Sequence, residues 1–553
     1  MKELTRNRLR FRNPRPQLPR DNQTDFLLPR WRILAEITVI FAVFFIQGAW
    51  PAPDVNEPYY LGKTIHYWNP AWAAGDYFLD SKDTHKVFYL AFGWLSPWLT
   101  PTALAWTGRL IIWWLLAWSW RRLSFAVLPR PGWSILSAAL FAMFMDRLNM
   151  AGEWVIGGVE AKGFAYVLVF LGLEALVRNQ WNRVWLFLGA ASAFHVLVGG
   201  WAAVAAGLAW LLIGRDRPRL RIMWPALLGG FLLALPGLLP ALLLNSRADA
   251  AIIRQANLIY VFERLPHHLN LFQMAPDFIL RFALLLALFF VVSWRMFFIG
   301  ERDANACNLF STGDDSMEAA RKRLGAFVIG AIAIGLVGAV INVTVFFDSE
   351  LAAGWLRFYW YRLGDVAAPL GVAILGCWWI KESWRYRPII SGFIMLLVGL
   401  AMGLHFGALT VQRLQPTTPR AERLPNAVAW REACLWAADE RNTPPMARFI
   451  TPRLSQTFKW YAHRAEVATW KDVPQNAPEI VQWWTRVQDL FATDGSDPEY
   501  RWHDSLNELG TERIVQLSKK YQADFLITES IYPPLNFKVV FKNEGYTIYE
   551  LKD

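Results

Sequence analysis

Hydrophobic runs recur along most of this chain, and they restrict its possible folds more than any other feature. Runs long enough, or nearly long enough, to cross a bilayer lie at about 33–50, 102–120, 133–149, 163–177, 222–244, 278–299, 324–347, 366–380 and 389–411. With 553 residues, 55% of them hydrophobic, the chain has more apolar surface than one soluble core needs. The sequence therefore predicts a polytopic α-helical membrane protein.

One further run, 184–213, has two interpretations. Its roughly 30 residues fit either one tilted helix or two short helices broken at Gly199 and Gly200. The segment is preceded by "RNQWNR" (178–183) and followed by "RDRPRLR" (215–221), and loops this basic belong on the cytosolic side. We therefore expect a hairpin with both ends in the cytosol, which brings the total to about eleven transmembrane helices.

The positions of the basic residues also predict the orientation. Residues 1–32 contain nine Arg or Lys and no cleavable apolar core, so we expect a cytosolic basic tail. The membrane domain then covers 33–411, with a large first external loop at 51–101. Residues 416–553 lie on the extracytoplasmic side of a plasma (inner) membrane. Several crossings have only about 13 to 15 residues, including 366–380, and such short helices leave a recess.

The segment 416–553 is polar and alternates between two periodicities. Strands are predicted at "ADFLITES", "FKVVFK" and "YTIYEL". Helices are predicted near "VAWREACLWAADE", "EIVQWWTRVQDLF" and "TERIVQLSKKYQ". These elements indicate a small α/β domain.

Composition excludes several functions. The formal charge is +11, but the basic residues lie between apolar runs and form no single face, so nucleic acid is not an expected partner. The three cysteines, Cys307, Cys377 and Cys434, show neither disulfide nor zinc-ligand spacing. No cytosolic Gly-rich loop or DxD motif indicates a nucleotide-sugar site.

The first external loop is rich in acids, imidazoles and aromatic rings. One interpretation is a solvated linker. The other is a segment that its aromatic rings hold at the membrane interface, where carboxylates can act as a base or bind a divalent cation. The candidate ligands for such a cation, the only cofactor considered, are Asp76, Asp80, Asp83 and His85 in this loop and His267 and His268 in a later one.

The stretch "PDVNEPYYLGKTIHYWNPAWAAGDYFLD", followed by "KVFYLAFGWL", resembles the first external loop of GT-C glycosyltransferases that use polyprenyl-phosphate sugars. Among these enzymes, the stretch is most similar to the first external loops of protein O-mannosyltransferases and lipid A aminoarabinose transferases. The resemblance implies a GT-C-like membrane domain that transfers a sugar from a polyprenyl-phosphate to an acceptor outside. It implies that Asp54 or Glu57 is the catalytic carboxylate and that Lys86 binds phosphate.

The second external loop fits the same resemblance. GT-C enzymes often have a second acidic cluster here, and "GEWVIGGVEAKG" supplies Glu153, Glu160 and Lys162. The alternative is a helix start at which Glu160 interacts favourably with the helix dipole.

Two arginines and one histidine complete the candidate substrate-binding residues. Arg357 and Arg362 are suited to bidentate phosphate contacts, or they pair with lipid headgroups or with Asp365. His195 lies near the tip of the predicted hairpin, where it lines the recess or packs within the bundle.

Two other functions compete with a glycosyltransferase. A transporter also uses polar groups in short helices, but we find no sequence repeat of the kind common in transporters. A membrane scaffold that presents its C-terminal domain needs no convergence of the acidic loops. Convergence of Asp54, Glu57, Glu153 and Glu160 on one cavity would favour the enzyme.

Overall fold

The computed structural model describes residues 28–214, 217–298, 315–493 and 501–552, so most of the predicted basic tail and Cys307 lie outside it. The described chain is mostly helical. Its long helices before residue 415 are Arg30–Gly48 (α1), Pro101–Val127 (α2), Trp133–Arg147 (α3), Ala161–Val177 (α4), Trp181–Phe194 (α5), Val196–Leu212 (α6), Leu220–Leu243 (α7), Pro276–Phe298 (α8), Asp315–Val343 (α9), Arg362–Ser383 (α10) and Pro388–Leu414 (α11).

Within the described ranges, six helices are long and apolar enough to cross a membrane. They are Arg30–Gly48, Leu220–Leu243, Pro276–Trp294, Ser316–Phe346, Arg362–Ser383 and Pro388–Leu414. The protein is therefore an integral membrane protein. The predicted total of about eleven crossings stays a prediction, since the remaining helices are shorter or, like α2, contain arginines.

Ion pairs show which helix ends lie side by side. Glu36 near the start of α1 pairs with Arg121 near the end of α2 at 3.0 Å. The next residue, Arg122, pairs with Glu174 near the end of α4 at 2.7 Å. One side of the bundle therefore holds the start of α1 and the ends of α2 and α4, the alternation that the predicted topology requires. The absolute orientation stays a prediction.

The segment 184–213 forms two helices in close contact, but the break lies at His195 and not at Gly199 and Gly200 as expected. His195 has an extended backbone, and its ring accepts the Val198 N–H at 3.4 Å. The role of Gly199 is to let α5 and α6 touch, because a Cβ there would lie 2.2 Å from the Ser192 nitrogen. The glycine thus marks a close approach and not a helix end.

Helix α10 corrects a second expectation. The predicted run 366–380 is 15 residues long, whereas the helix covers 22, Arg362–Ser383. Its first turns include Asp365, which is fully buried and accepts backbone N–H groups from Met150 and Ala151 at 2.9 and 2.8 Å. Because these bonds satisfy the carboxylate, the helix extends through a charge that hydropathy treats as a boundary.

The C-terminal domain contains a five-stranded mixed sheet in the order β2-β1-β3-β5-β4. β1 is parallel to β2 and β3, and β5 is antiparallel to β3 and β4. The strands are Arg448–Ile450 (β1), Ala465–Glu466 (β2), Phe525–Glu529 (β3), Lys538–Lys542 (β4) and Tyr546–Glu550 (β5), and the helices are Ala427–Ala438 (α12), Phe458–Ala462 (α13), Ala477–Phe491 (α14) and Gly510–Tyr521 (α15). The three predicted strands and three predicted helices are confirmed.

The first external loop is folded between the helices and this domain. Tyr77 donates to the Glu479 carbonyl at 2.8 Å, and Arg448 donates to the Gly75 carbonyl at 3.1 Å. These contacts exclude the solvated-linker interpretation of the loop. Short helices within it and in the later loops are Glu57–Trp68, Tyr77–Asp80, Lys86–Ala91, Ala250–Leu258, Pro266–Leu269 and Ser349–Leu356.

Candidate functional site: a cavity with a cationic wall and an apolar wall

A cavity of about 440 Å³ lies between the helix bundle, the loops after α1, α3, α7 and α9, and the C-terminal domain. Segments far apart in sequence line it, from Asn56 to Ile480. Five lining residues carry side chains that are ordinarily cationic near pH 7: Lys162, Arg264, Arg357, Arg362 and Lys471. Among its described lining residues, Glu160 is the one carboxylate. The cavity is therefore suited to an anion.

The five cations differ in how far protein groups already neutralise them. Arg362 pairs with Glu153 at 2.8 Å, and Lys162 lies 3.4 Å from both Glu153 and Glu160. These two cations are compensated by protein carboxylates. Tyr166 donates to the other oxygen of Glu153 at 3.1 Å, which holds this carboxylate in place behind the cavity.

The other three cations have no carboxylate partner within the described part of the chain. Arg357 donates to the side-chain oxygen of Asn257 at 2.5 Å, and Arg264 donates to the Trp470 carbonyl at 2.8 Å. Lys471 is half-buried beside Arg264. Burial, together with the nearby Arg264 guanidinium, lowers the pKa of Lys471 to about 8. These three groups are available to compensate a negatively charged ligand.

Glu160 immediately precedes α4 and is 2% exposed. One oxygen accepts from the Asn56 amide and from the Trp154 indole N–H, each at 3.0 Å. Burial raises the pKa of Glu160, and the neighbouring Lys162 ammonium opposes this shift. The result is a carboxylate in a cavity with a higher proton affinity than an exposed glutamate, as a general base requires.

Part of the cavity lining is apolar. Helix α7 and the residue after it contribute Leu238, Ala241, Leu242 and Leu244. Leu242 lines the cavity although 67% of its surface is exposed, and α7 is one of the helices apolar enough to cross a membrane. The cavity therefore borders a surface that suits hydrocarbon chains.

The C-terminal domain provides part of the cavity, which the sequence does not predict. Lys471, Val473 and Gln475 lie in the segment after β2. The Gln475 amide nitrogen lies 3.0 Å from the His85 ring nitrogen, and the Thr84 N–H donates to Gln475 at 3.1 Å. The only local signal is a lysine beside Trp470 in a turn-rich stretch, and similarly Arg264 follows the aromatic stretch "YVF".

Neither Asp54 nor Glu57 is among the residues that line the cavity, so the catalytic role that the resemblance implies for one of them stays a prediction. Glu57 is fully buried and forms a bidentate pair with Arg109 at 2.7 and 2.6 Å. Asp54 pairs with Arg420 in the same way, at 2.8 and 2.9 Å. Each also accepts a backbone N–H from the second external loop, at Gly158 and Val159. The two acidic loops therefore converge, but only Glu160 faces the cavity.

The remaining predicted residues fall into two groups. His195 lines the cavity with its ring 5.6 Å from that of His85, and His268 lines it as well. His267 is exposed and packs on His268 with the rings 4.0 Å apart. Lys86 is exposed at the start of its short helix and is not among the residues that line the cavity, so its phosphate-binding role stays a prediction.

The metal candidates do not form a ligand set. Within the described ranges, no three His, Cys, Asp or Glu side chains are close enough to hold a metal ion. Asp76 accepts the Glu466 N–H at 3.0 Å, Asp80 pairs with His66 at 3.0 Å, and Asp83 pairs with Lys63 at 3.5 Å. These acids connect parts of the first external loop with one another and with the C-terminal domain.

Comparisons with known proteins give one match to a family model and several matches to solved structures. A family model described as a domain of unknown function (DUF6798) matches residues 428–490, within the C-terminal domain. No curated protein matches. The stretch matched by the family model includes Lys471 and Gln475.

Among solved structures, the chain is similar to the apo form of the Archaeoglobus fulgidus oligosaccharyltransferase, with 11% identity, 90% of this chain and 69% of that chain covered, and a TM-score of 0.44. It is similar to ArnT from Cupriavidus metallidurans bound to undecaprenyl phosphate, with 14% identity, 95% and 98% covered, and a TM-score of 0.37.

Proposed function

We propose that this protein is a membrane glycosyltransferase of the GT-C type, which transfers a sugar from a polyprenyl-phosphate donor to an acceptor on the outer side of the membrane. One observation carries the proposal. The lining of a single cavity combines leucines from an apolar helix with three cations that pair with no carboxylate of the described residues. A lipid phosphate has the matching chemistry, because its headgroup is anionic and its tail is hydrocarbon.

The roles follow from the contacts. Arg357, Arg264 and Lys471 neutralise the donor phosphate and stabilise the charge that it gains as it leaves. Glu160 takes the proton from the acceptor hydroxyl or amine while the acceptor forms a bond to the anomeric carbon. The bond from that carbon to the phosphate oxygen breaks, and the electron pair departs with the polyprenyl phosphate. Lys162 lies between Glu153 and Glu160 and holds the base in position.

In this proposal Asp54 and Glu57 stabilise the site without acting as the base. Their oxygens are engaged by Arg420, Arg109 and backbone N–H groups. Their contacts to Gly158 and Val159 hold the second external loop, and hence Glu160, against the first. A non-catalytic scaffold would not require this convergence, so the geometry favours an enzyme.

The test is transfer by the purified protein in phospholipid nanodiscs, supplied with polyprenyl-phosphate sugars and candidate acceptors. Glu160→Gln keeps the shape of the base and removes its proton acceptor. We expect transfer to fall by about 10² to 10⁴, with donor binding and the apparent Tm unchanged.

Two results would contradict the proposal in different ways. If the unaltered protein consumes no lipid-linked sugar, the glycosyltransferase function is wrong. If Glu160→Gln turns over normally while Asp54→Asn or Glu57→Gln is inactive and remains folded, the base is the residue that the sequence resemblance implies.

A further inference from the structure

A second cavity, also of about 440 Å³, lies in the C-terminal domain at the edge where β1 and β3 end. It is lined by the segment that follows β1, beginning at Pro452, and by residues at and after Glu529. In the order β2-β1-β3, the chain leaves β1 toward β2 on one side and returns to β3 on the other. In open α/β sheets, the crevice at such a switch point is where ligands bind.

The crevice presents both hydrogen-bond donors and hydrogen-bond acceptors. The Arg453 guanidinium lies 5.3 Å from the Trp502 ring centroid and 5.9 Å from that of Trp470, and it interacts electrostatically with the Asp504 carboxylate. Among the described residues, none accepts a hydrogen bond from its N–H donors, which leaves these donors available to a ligand. Arg423 is a second guanidinium in the lining, and carboxylates line the same crevice at Asp504, Glu529 and Glu544. Ser505 holds the Glu529 carboxylate through a 2.6 Å hydrogen bond.

This combination selects the chemical class of the ligand. A phosphate would pair with a guanidinium but would face three carboxylates, and an ammonium group would pair with a carboxylate but would face the two guanidinium groups. Sugar hydroxyls both donate and accept, so they can satisfy both sets of groups. The Trp502 and Tyr532 rings add apolar surface for the carbon faces of a sugar ring. We propose that this crevice binds a sugar residue of a glycan.

Trp470 contacts a lining residue of each cavity. Arg264 of the main cavity donates to the Trp470 carbonyl and lies 5.4 Å from its ring, while Arg453 contacts the same ring from the crevice. A glycan in the crevice is thus linked through Trp470 to Arg264, one of the residues assigned to the donor phosphate. The identification of this glycan as the acceptor rests on the proposed function, whereas the binding of a glycan in the crevice does not.

The experiment measures binding by the full chain in phospholipid nanodiscs, because maltoside detergents themselves present a sugar. The probes are an array of neutral, amino and uronic-acid oligosaccharides, followed by titration of the best binder. We expect binding in the absence of any lipid-linked donor. Asp504→Asn and Arg453→Gln should each weaken it about tenfold, or ~1.4 kcal/mol. Glu512→Gln, an exposed carboxyl-to-amide change on α15, is the matched control and should bind normally.

Four outcomes overturn the inference. They are binding to no oligosaccharide of the array, equal affinity in the unaltered protein and both variants, displacement by inorganic phosphate, and loss of binding in Glu160→Gln but not in Asp504→Asn. The third would indicate an anion site, and the fourth would place the sugar in the main cavity. Since no donor is present, failure here is distinguishable from failure of the proposed glycosyl transfer.

Discussion

The two arginines of "WLRFYWYRLGD" differ in what they already contact. Arg362 is paired with Glu153, whereas Arg357 has an uncharged partner, Asn257. Arg357→Gln should therefore weaken the binding of polyprenyl phosphate by about 1.5 to 3 kcal/mol, because it removes a charge-assisted contact without freeing a protein carboxylate. The measurement is titration of polyprenyl phosphate into the protein in nanodiscs.

Arg254→Gln is the matched control for this change. Arg254 forms an exposed pair with Glu350 at 3.3 Å, and exposed pairs contribute little. Equal affinities for the unaltered protein and Arg357→Gln would remove Arg357 from the phosphate site.

The lowered pKa of Lys471 predicts that the affinity for polyprenyl phosphate depends on pH. Its pKa is lowered to about 8, so it is charged at pH 7 and loses its proton as the pH rises through 8. The second ionisation of a phosphate monoester lies near pH 6, so the ligand charge is constant in this range. The affinity for polyprenyl phosphate should accordingly fall between pH 7 and 9. Lys471→Arg should flatten this profile, because a guanidinium stays protonated.

The profile is measured by repeating the titration at several pH values. If Lys471→Arg shows the same decline as the unaltered protein, another group titrates and Lys471 does not bind the phosphate.

At the scale of elements, one buried ion pair joins the first external loop to α2. Both the Glu57 and Arg109 side chains are fully buried, and Arg109 also donates to the Trp50 carbonyl. Glu57→Gln leaves a buried guanidinium without its counter-charge, which we expect to cost about 3 to 5 kcal/mol. The measurement is the apparent Tm of the purified protein.

Two variants sharpen this test. Glu382→Gln breaks a partly exposed pair and should change the apparent Tm little. The double variant Glu57→Gln, Arg109→Met should recover part of the loss. An unchanged Tm with lost transfer in Glu57→Gln would instead support Glu57 as the catalytic carboxylate.

The sequence predicts an element when the residues of that element determine its structure, and it fails to do so when contacts with distant segments determine it. Strands such as Tyr546–Glu550 show their own periodicity, and they lie where the pattern predicts. Strands β1 and β2 have three and two residues, too few for any period, and are held by pairing with distant segments. The extension of α10 through Asp365 likewise depends on backbone donors more than 200 residues away, which no local pattern records.

For the whole molecule, the sequence predicts membrane helices, an external α/β domain and the importance of both acidic loops. It does not predict which carboxylate faces the cavity. Asp54, Glu57 and Glu160 all follow or precede helices, and only the positions of Arg109 and Arg420 decide which of them are already paired. A pairing across hundreds of residues is a property of the fold, so Glu160 is distinguished by structure alone.

The use of Lys471 and Gln475 to complete the cavity also sets an order of events during synthesis. The helices that form the rest of the cavity emerge from the ribosome before these residues. Until the C-terminal domain has folded onto the loop that follows α1, the cavity lacks Lys471 and the contact from Gln475 to His85. The cavity is therefore complete only after synthesis has passed the last membrane helix and this domain has folded.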